Sequence, residues 1–194
     1  MTEVNRQELS NIIFFIQELE RLKENTRTAW TKEGRKESIA EHSWRLTMFA
    51  LVLEEYFPDL DFGKVLRICL IHDLGEAYDG DISAKLLVDQ EKKYQREEET
   101  IQQLTEPLID PTRNKLFALW QEYNQCQTKE AQLVKALDKM ETIIQHNQGS
   151  NPPDFDYGFN LDYGRSHALF HPMIKAMREM IDQETQRKSE MNQP

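Results

Sequence analysis

An all-α fold, a single helical bundle of roughly seven to nine helices, is what this sequence predicts. Three observations predict it. Apolar residues recur at three- and four-residue spacing along most of the chain. Helix-start sequences stand in front of several of those runs, and no convincing strand pair accompanies them. The 194 residues are enough for one substantial core, and no linker divides them. The expected domain therefore spans 1–194, with its core at about residues 8–184 and a polar tail over 185–194.

The elements follow in order. Leu9, Ile12, Ile13, Ile16, Leu19 and Leu22 mark a first amphipathic helix. Asn25 to Glu37 breaks the pattern, contains Gly34, and reads as a loop. Ser38-Ile39-Ala40-Glu41 is a capping box, and the helix it opens carries Ile39, Leu46, Phe49, Ala50 and Leu53 until Pro58. Asp61 can cap a third helix whose run Val65, Leu66, Ile68, Cys69, Leu70 leads into His72-Asp73. So apolar a run predicts a central, buried helix, ended by Gly75 and the Tyr78-Asp79-Gly80-Asp81 turn. Residues 89–104 read as a charged helix; Leu116, Leu119, Trp120 and Tyr123 mark the next. Thr128 caps a helix bearing Leu133, Val134, Leu137, Met140 and Ile144. Gly149 to Gly164, with two prolines and three glycines, reads as a long loop. Pro172 fits the first turn of a last helix through Met173, Ile174, Met177 and Met180, and the tail from Thr185 is expected to fray.

Composition narrows the function. The formal net charge of −10 disfavours a nucleic-acid backbone as partner, because that binding rests on clustered Lys and Arg. It leaves room for a small anionic ligand, since a bound dication reverses the field inside a pocket. No apolar stretch approaches membrane-spanning length, and the amino terminus lacks a secretory pattern. Cys69 and Cys126 are too few for a disulfide framework, so the expected setting is the reducing cytoplasm.

The chemistry gathers around His72-Asp73. A neutral imidazole and an adjacent carboxylate suit one divalent cation, and Glu76 lies four residues after His72, so it is expected on the same helical face. Asp73 beside an apolar run, and Asp138 among Leu133, Val134 and Leu137, would each pay a desolvation cost unless paired or metal-bound. His42 supplies a second imidazole. Alone, either histidine is as readily a hydrogen-bonded core residue; together the four are not so easily explained. His146, His167 and His171 fit no ligand spacing.

The order His, then His-Asp, then Asp resembles the HD metal-dependent phosphohydrolase superfamily. The fuller context is similar to its branch containing the bacterial and eukaryotic 5′-deoxynucleotidases: Arg27-Thr28-Ala29-Trp30, Glu41-His42-Ser43, His72-Asp73-Leu74-Gly75-Glu76 and Gly80-Asp81. The resemblance runs from Phe15 to about Ile181 and thins beyond Asp138. It implies one divalent metal ion on His42, His72, Asp73 and Asp138. Two imidazoles and two carboxylates suit Mn, Co, Fe or Zn. It also implies that Asp81 contacts the substrate sugar or the water, that the substrate is a deoxyribonucleoside 5′-monophosphate, and that the chain forms a homodimer, for which the apolar first helix could serve.

Glu76, placed beside the metal without being needed as a ligand, is the expected proton acceptor. Arg27 is the expected phosphate clamp, because a guanidinium matches phosphate oxygens bidentately. Trp30 is expected to pack on the nucleoside. Lys23, Arg35 and Lys139 are further basic candidates. Two alternatives stand beside this reading: hydrolysis of another nucleotide on the same centre, and a non-catalytic helical protein that holds metal or nucleotide.

Overall fold

The computed structural model describes residues 5–83, 85–86 and 89–191. Helix α1 (Arg6–Glu18) and a short α2 (Arg21–Glu24) lead into strand β1 (Thr26–Trp30), which pairs antiparallel with β2 (Lys36–Ser38). Helices α3 (Ile39–Leu51), α4 (Phe62–Ile71), α5 (Gln90–Thr105), α6 (Asp110–Gln125) and α7 (Lys129–Gln148) follow. A one-turn α8 (Phe159–Asp162), a 3-10 segment (Arg165–Phe170) and α9 (Pro172–Met191) complete the chain.

The fold is all-α, as expected, with α7 as its axis. Ala131, Leu133, Val134, Leu137, Met140 and Ile143 of α7 are buried between α3, α4, α6 and α9. Leu46, Val65, Ile68 and Ile174 pack against them in one cluster. A second cluster joins Leu22, Ile39, Ile71, Ile101, Leu104 and Trp120 beneath α5 and α6. The caps read from the sequence form. Ser38 Oγ accepts the Glu41 amide at 3.2 Å while Glu41 Oε2 accepts the Ser38 amide at 2.8 Å. Asp61 accepts from the Lys64 amide and Thr128 from the Ala131 amide.

Four local expectations need correction. The segment read as a loop from Asn25 to Glu37 contains the β1–β2 hairpin, docked on the C-terminal end of α7. Its backbone is tied down by long-range bonds: Gln145 Nε2 donates to Trp30 O, and the Ser150 amide donates to Thr31 O at 3.0 Å. The helix bearing His72 stops at Ile71, and Leu74–Glu76 forms a separate 3-10 turn, so Glu76 does not continue the α4 face. The Gly149–Gly164 stretch contains α8. Finally, α9 continues to Met191 instead of fraying at Thr185. That hydroxyl is fully buried, accepting from Asn147 Nδ2 at 2.9 Å.

Gly75 explains why the 3-10 turn sits where it does. A Cβ there would lie 2.7 Å from Glu97 Cβ and 2.9 Å from Glu97 O. Only a residue without a side chain lets α5 approach this closely. That approach brings Lys93 and Glu97 of α5 against Glu76. Among the described residues no helix is long and apolar enough to cross a membrane.

Candidate metal centre and active site

Three elements bring the sequence-predicted ligands together. His42 lies in the first turns of α3, His72 and Asp73 close α4, and Asp138 lies midway along α7. The donor atoms of His42, His72 and Asp73 converge, and Asp138 joins the group through His42. His72 Nε2 stands 3.1 Å from Asp73 Oδ2, and His42 Nε2 stands 3.8 Å from Asp73 Oδ2 and 3.2 Å from Asp138 Oδ1. A shared ion about 2 Å from each donor would span such separations.

The hydrogen bonds behind the ligands set their tautomers. His72 Nδ1 donates to the Cys69 carbonyl at 2.9 Å, and His42 Nδ1 faces Glu141 Oε2. Each imidazole thereby presents Nε2 as a lone pair toward the other ligands. Both Nε2 atoms are buried and lack a hydrogen-bond partner. Orphaned buried acceptors aimed at two carboxylates fit a bound cation. The field agrees. Burial and Arg27 oppose a charge on His42, yet Glu141 and Asp138 overcome them and push its pKa up to about 9. An ion on His42 Nε2 would therefore take the place of a proton that these carboxylates favour.

Glu141 was missed by the sequence reading. It is 1% exposed and is gripped by Arg45 and Arg27 while it orients His42. The signal was present, because Glu141 stands in the same apolar helix three residues after Asp138, one helical turn on. Tyr123, counted only as a core aromatic, donates its hydroxyl to Asp138 Oδ2 at 2.6 Å. Lys139 Nζ meets the same oxygen at 2.9 Å.

His72, Asp73, Asp138, Tyr123 and Lys139 line a cavity of about 470 Å³ that also receives Glu76, Asp81, Arg27 and Trp30, while His42 and Glu141 lie buried behind that wall. Glu76 is buried, with Lys93 Nζ 3.6 Å from its carboxylate and Lys93 in turn 3.2 Å from Glu97. Burial first, then the charges of Asp73 and Asp81, raise its pKa well above the usual carboxylate range. A carboxylate so raised, facing a cavity, is suited to accept a proton. Asn25 Nδ2 fixes the turn by donating to Ala77 O at 2.8 Å.

Arg27 lines the cavity, but its guanidinium is engaged. Thr142 Oγ1 lies at 2.9 Å, and Glu37 and Glu141 each lie at 3.6 Å. Trp30 meets Phe155 edge-to-face at 6.1 Å, at the end of the cavity bounded by the segment after α7. Of the other basic candidates, Lys139 lines the cavity, whereas Arg35 pairs with Glu41 and Lys23 with Glu20.

The HD domain family profile matches residues 19–178, which contain all four candidate ligands. The chain belongs to the HD domain family. It is 32% identical over 189 residues to the 5′-deoxynucleotidase HDDC2 of Dictyostelium discoideum, covering 90% of this chain and 98% of that one. To the human 5′-deoxynucleotidase HDDC2 it is 33% identical over 140 residues, 71% and 68% of the two chains. A structure described as a predicted metal-dependent phosphohydrolase, from Magnetospirillum magnetotacticum, superposes with a TM-score of 0.84 at 26% identity over 97% of both chains. The PH0347 protein of Pyrococcus horikoshii shares the fold, with a TM-score of 0.67 at 24% identity, covering 90% of this chain and 98% of that one. In the HD frame, the second acidic group around His42, made by Glu37 and Glu141, lies on its Nδ1 side. Arg27 and Arg45 neutralise that group, so it supports the metal side and does not compete with it.

Proposed function

We propose that this HD protein is a metal-dependent 5′-deoxynucleotidase, hydrolysing deoxyribonucleoside 5′-monophosphates to deoxyribonucleoside and phosphate. One observation carries the reading: His72, Asp73 and Asp138 of a His/Asp cluster and a buried Glu76 face one cavity that Trp30 also lines. Curated relatives named as 5′-deoxynucleotidases support the substrate.

His42, His72, Asp73 and Asp138 hold one divalent ion, for which Mn, Co, Fe and Zn all suit the donor set. When bound, it supplies Lewis acidity toward phosphoryl oxygens and a water of lowered pKa. Glu76 accepts the proton of the attacking water at its carboxylate. Lys93 and Glu97 fix that carboxylate from α5. Asp81 and Trp30 contact the sugar and the nucleoside. Arg27, held among Glu37, Glu141 and Thr142, orders the cavity wall and adds positive potential to the phosphate end.

Phosphate release from paired substrates tests the sugar assignment. dAMP should be hydrolysed at least tenfold faster than AMP, because an extra hydroxyl placed against Asp81 and Trp30 leaves polar groups unpaired. Equal turnover of the two overturns the deoxynucleotide reading and leaves the metal centre standing.

We place the protein in the reducing cytoplasm, where its two unpaired cysteines would persist. Its assembly is a homodimer built on α1. That helix buries none of its residues, and Leu9, Ile12, Ile13, Phe14 and Ile16 are 48–59% exposed. An apolar face of this kind marks an interaction surface. Light scattering on the eluting protein should give twice the chain mass, and Ile13→Glu should give the monomer. A wild-type monomer overturns the assembly.

A further inference from the structure

The cavity is lined by five basic side chains, Arg27, Lys85, Lys93, Lys135 and Lys139. Four of them face carboxylates. Arg27 has Glu37 and Glu141, Lys85 has Asp156 at 3.5 Å, Lys93 has Glu76 and Glu97, and Lys139 has Asp138. Lys135 has none among the described residues. Its ammonium rests instead over the ring of Tyr123, 3.5 Å from the centroid.

The position is built by the sequence. Lys135, Asp138, Lys139 and Thr142 recur at three- and four-residue spacing, so α7 turns one polar stripe to the cavity while its remaining faces are core. Tyr123 links the parts. Its hydroxyl binds the metal ligand Asp138 and its face seats the ammonium, so Lys135 stands one helical turn and one ring away from the metal centre. A partly buried ammonium seated on a π-face, with Asp138, Asp73 and Glu97 acting on it only beyond ion-pair distance, is under-compensated.

We infer that Lys135 is the cation that receives the phosphate of the substrate, binding its outer oxygens beside the metal centre while Arg27 remains a structural ion. The inference rests on the phosphohydrolase reading and deepens it. A phosphate dianion supplies the counter-charge that the four paired cations do not need and Lys135 lacks. Burial and then Lys139 push the Lys135 ammonium down to about 8, which leaves it mostly protonated at neutral pH.

Isothermal titration of inorganic phosphate into the metal-loaded protein, on wild type, Lys135→Met and Lys135→Arg, tests this. Methionine keeps the aliphatic contact with Tyr123 and removes the charge. Lys135→Met should bind phosphate at least tenfold more weakly, the usual worth of a charge-assisted hydrogen bond. Its KM for dAMP should rise in proportion, with metal content and melting temperature unchanged, and Lys135→Arg should recover most of the binding. A purely structural lysine would instead lower the melting temperature and leave phosphate affinity intact, and that result overturns the assignment. If wild type binds phosphate through Lys135 yet hydrolyses no deoxynucleotide, the functional reading fails and this one stands. If wild type hydrolyses dAMP and Lys135→Met binds phosphate as wild type does, the reverse holds.

Discussion

Glu76→Gln should keep its metal and its nucleotide affinity and yet hydrolyse dAMP slower by a factor of roughly 10²–10⁴, the range for loss of a general base. The amide preserves the shape of a side chain packed between the 3-10 turn and α5, so folding should be spared. What it removes is the group whose proton affinity burial, Asp73 and Asp81 have raised. The sign of the pH effect follows. The carboxylate form accepts the proton, and a raised pKa means that, as pH falls, this form is lost at a higher pH than for an ordinary carboxylate. Wild-type rate should therefore decline on the acid side through that raised pKa, and Glu76→Gln should lack this limb. Full activity in the variant would return Glu76 to a passive role. Metal loss as complete as in a ligand variant would make it a ligand.

His72→Ala should lose metal and activity together. Its Nε2 is one of two orphaned ring nitrogens in the cluster, and its Nδ1 partner, the Cys69 carbonyl, cannot be matched by alanine. The proposed ligands come from α3, the end of α4, and α7, so an ion bound there would cross-link three parts of the fold. At a free metal concentration about a thousand times Kd, that linkage is worth about 4 kcal/mol. For a chain of this size it corresponds to roughly 10 °C in melting temperature. A chelator should lower the wild-type melting temperature by about that amount and leave His72→Ala almost unaffected. An equal response of both proteins would show that the ion binds elsewhere.

Most of the helical frame was legible because period, cap and breaker coincide. Ser38 with Glu41, Asp61, Thr128 and Pro172 each open a helix in the structure. The clustering of His42, His72, Asp73 and Asp138 was legible for a different reason, since charged side chains embedded in apolar runs demand partners. The same logic, carried one turn further along α7, would have found Glu141. The hairpin was not legible. Thr26–Trp30 and Lys36–Ser38 are short, mixed in polarity and interrupted by a register irregularity, and they are held by Gln145 and Ser150 from far along the chain. Nor could periodicity reveal that Arg27 would meet Glu37 and Glu141, because that encounter depends on how the hairpin docks. The early end of α4 before Glu76 was signalled by Gly75, whose role as a contact point for α5 has no local signature.

The docking of the hairpin on α7 has a geometric consequence. Asp138 stands among the candidate metal ligands that line the cavity. Gln145 and His146 hold the backbone oxygens of Trp30 and Thr28, which also line it. Both groups are thus mounted on one rigid rod, seven residues or roughly 10 Å apart along its axis. The span offered to a substrate is a multiple of the helical rise and does not depend on how the flanking loops lie. Changes in the segment from Gly149 to Gly164 can reshape that side of the cavity wall while the spacing set along α7 stays fixed. The helix serves as the gauge, and the loops only as the finish.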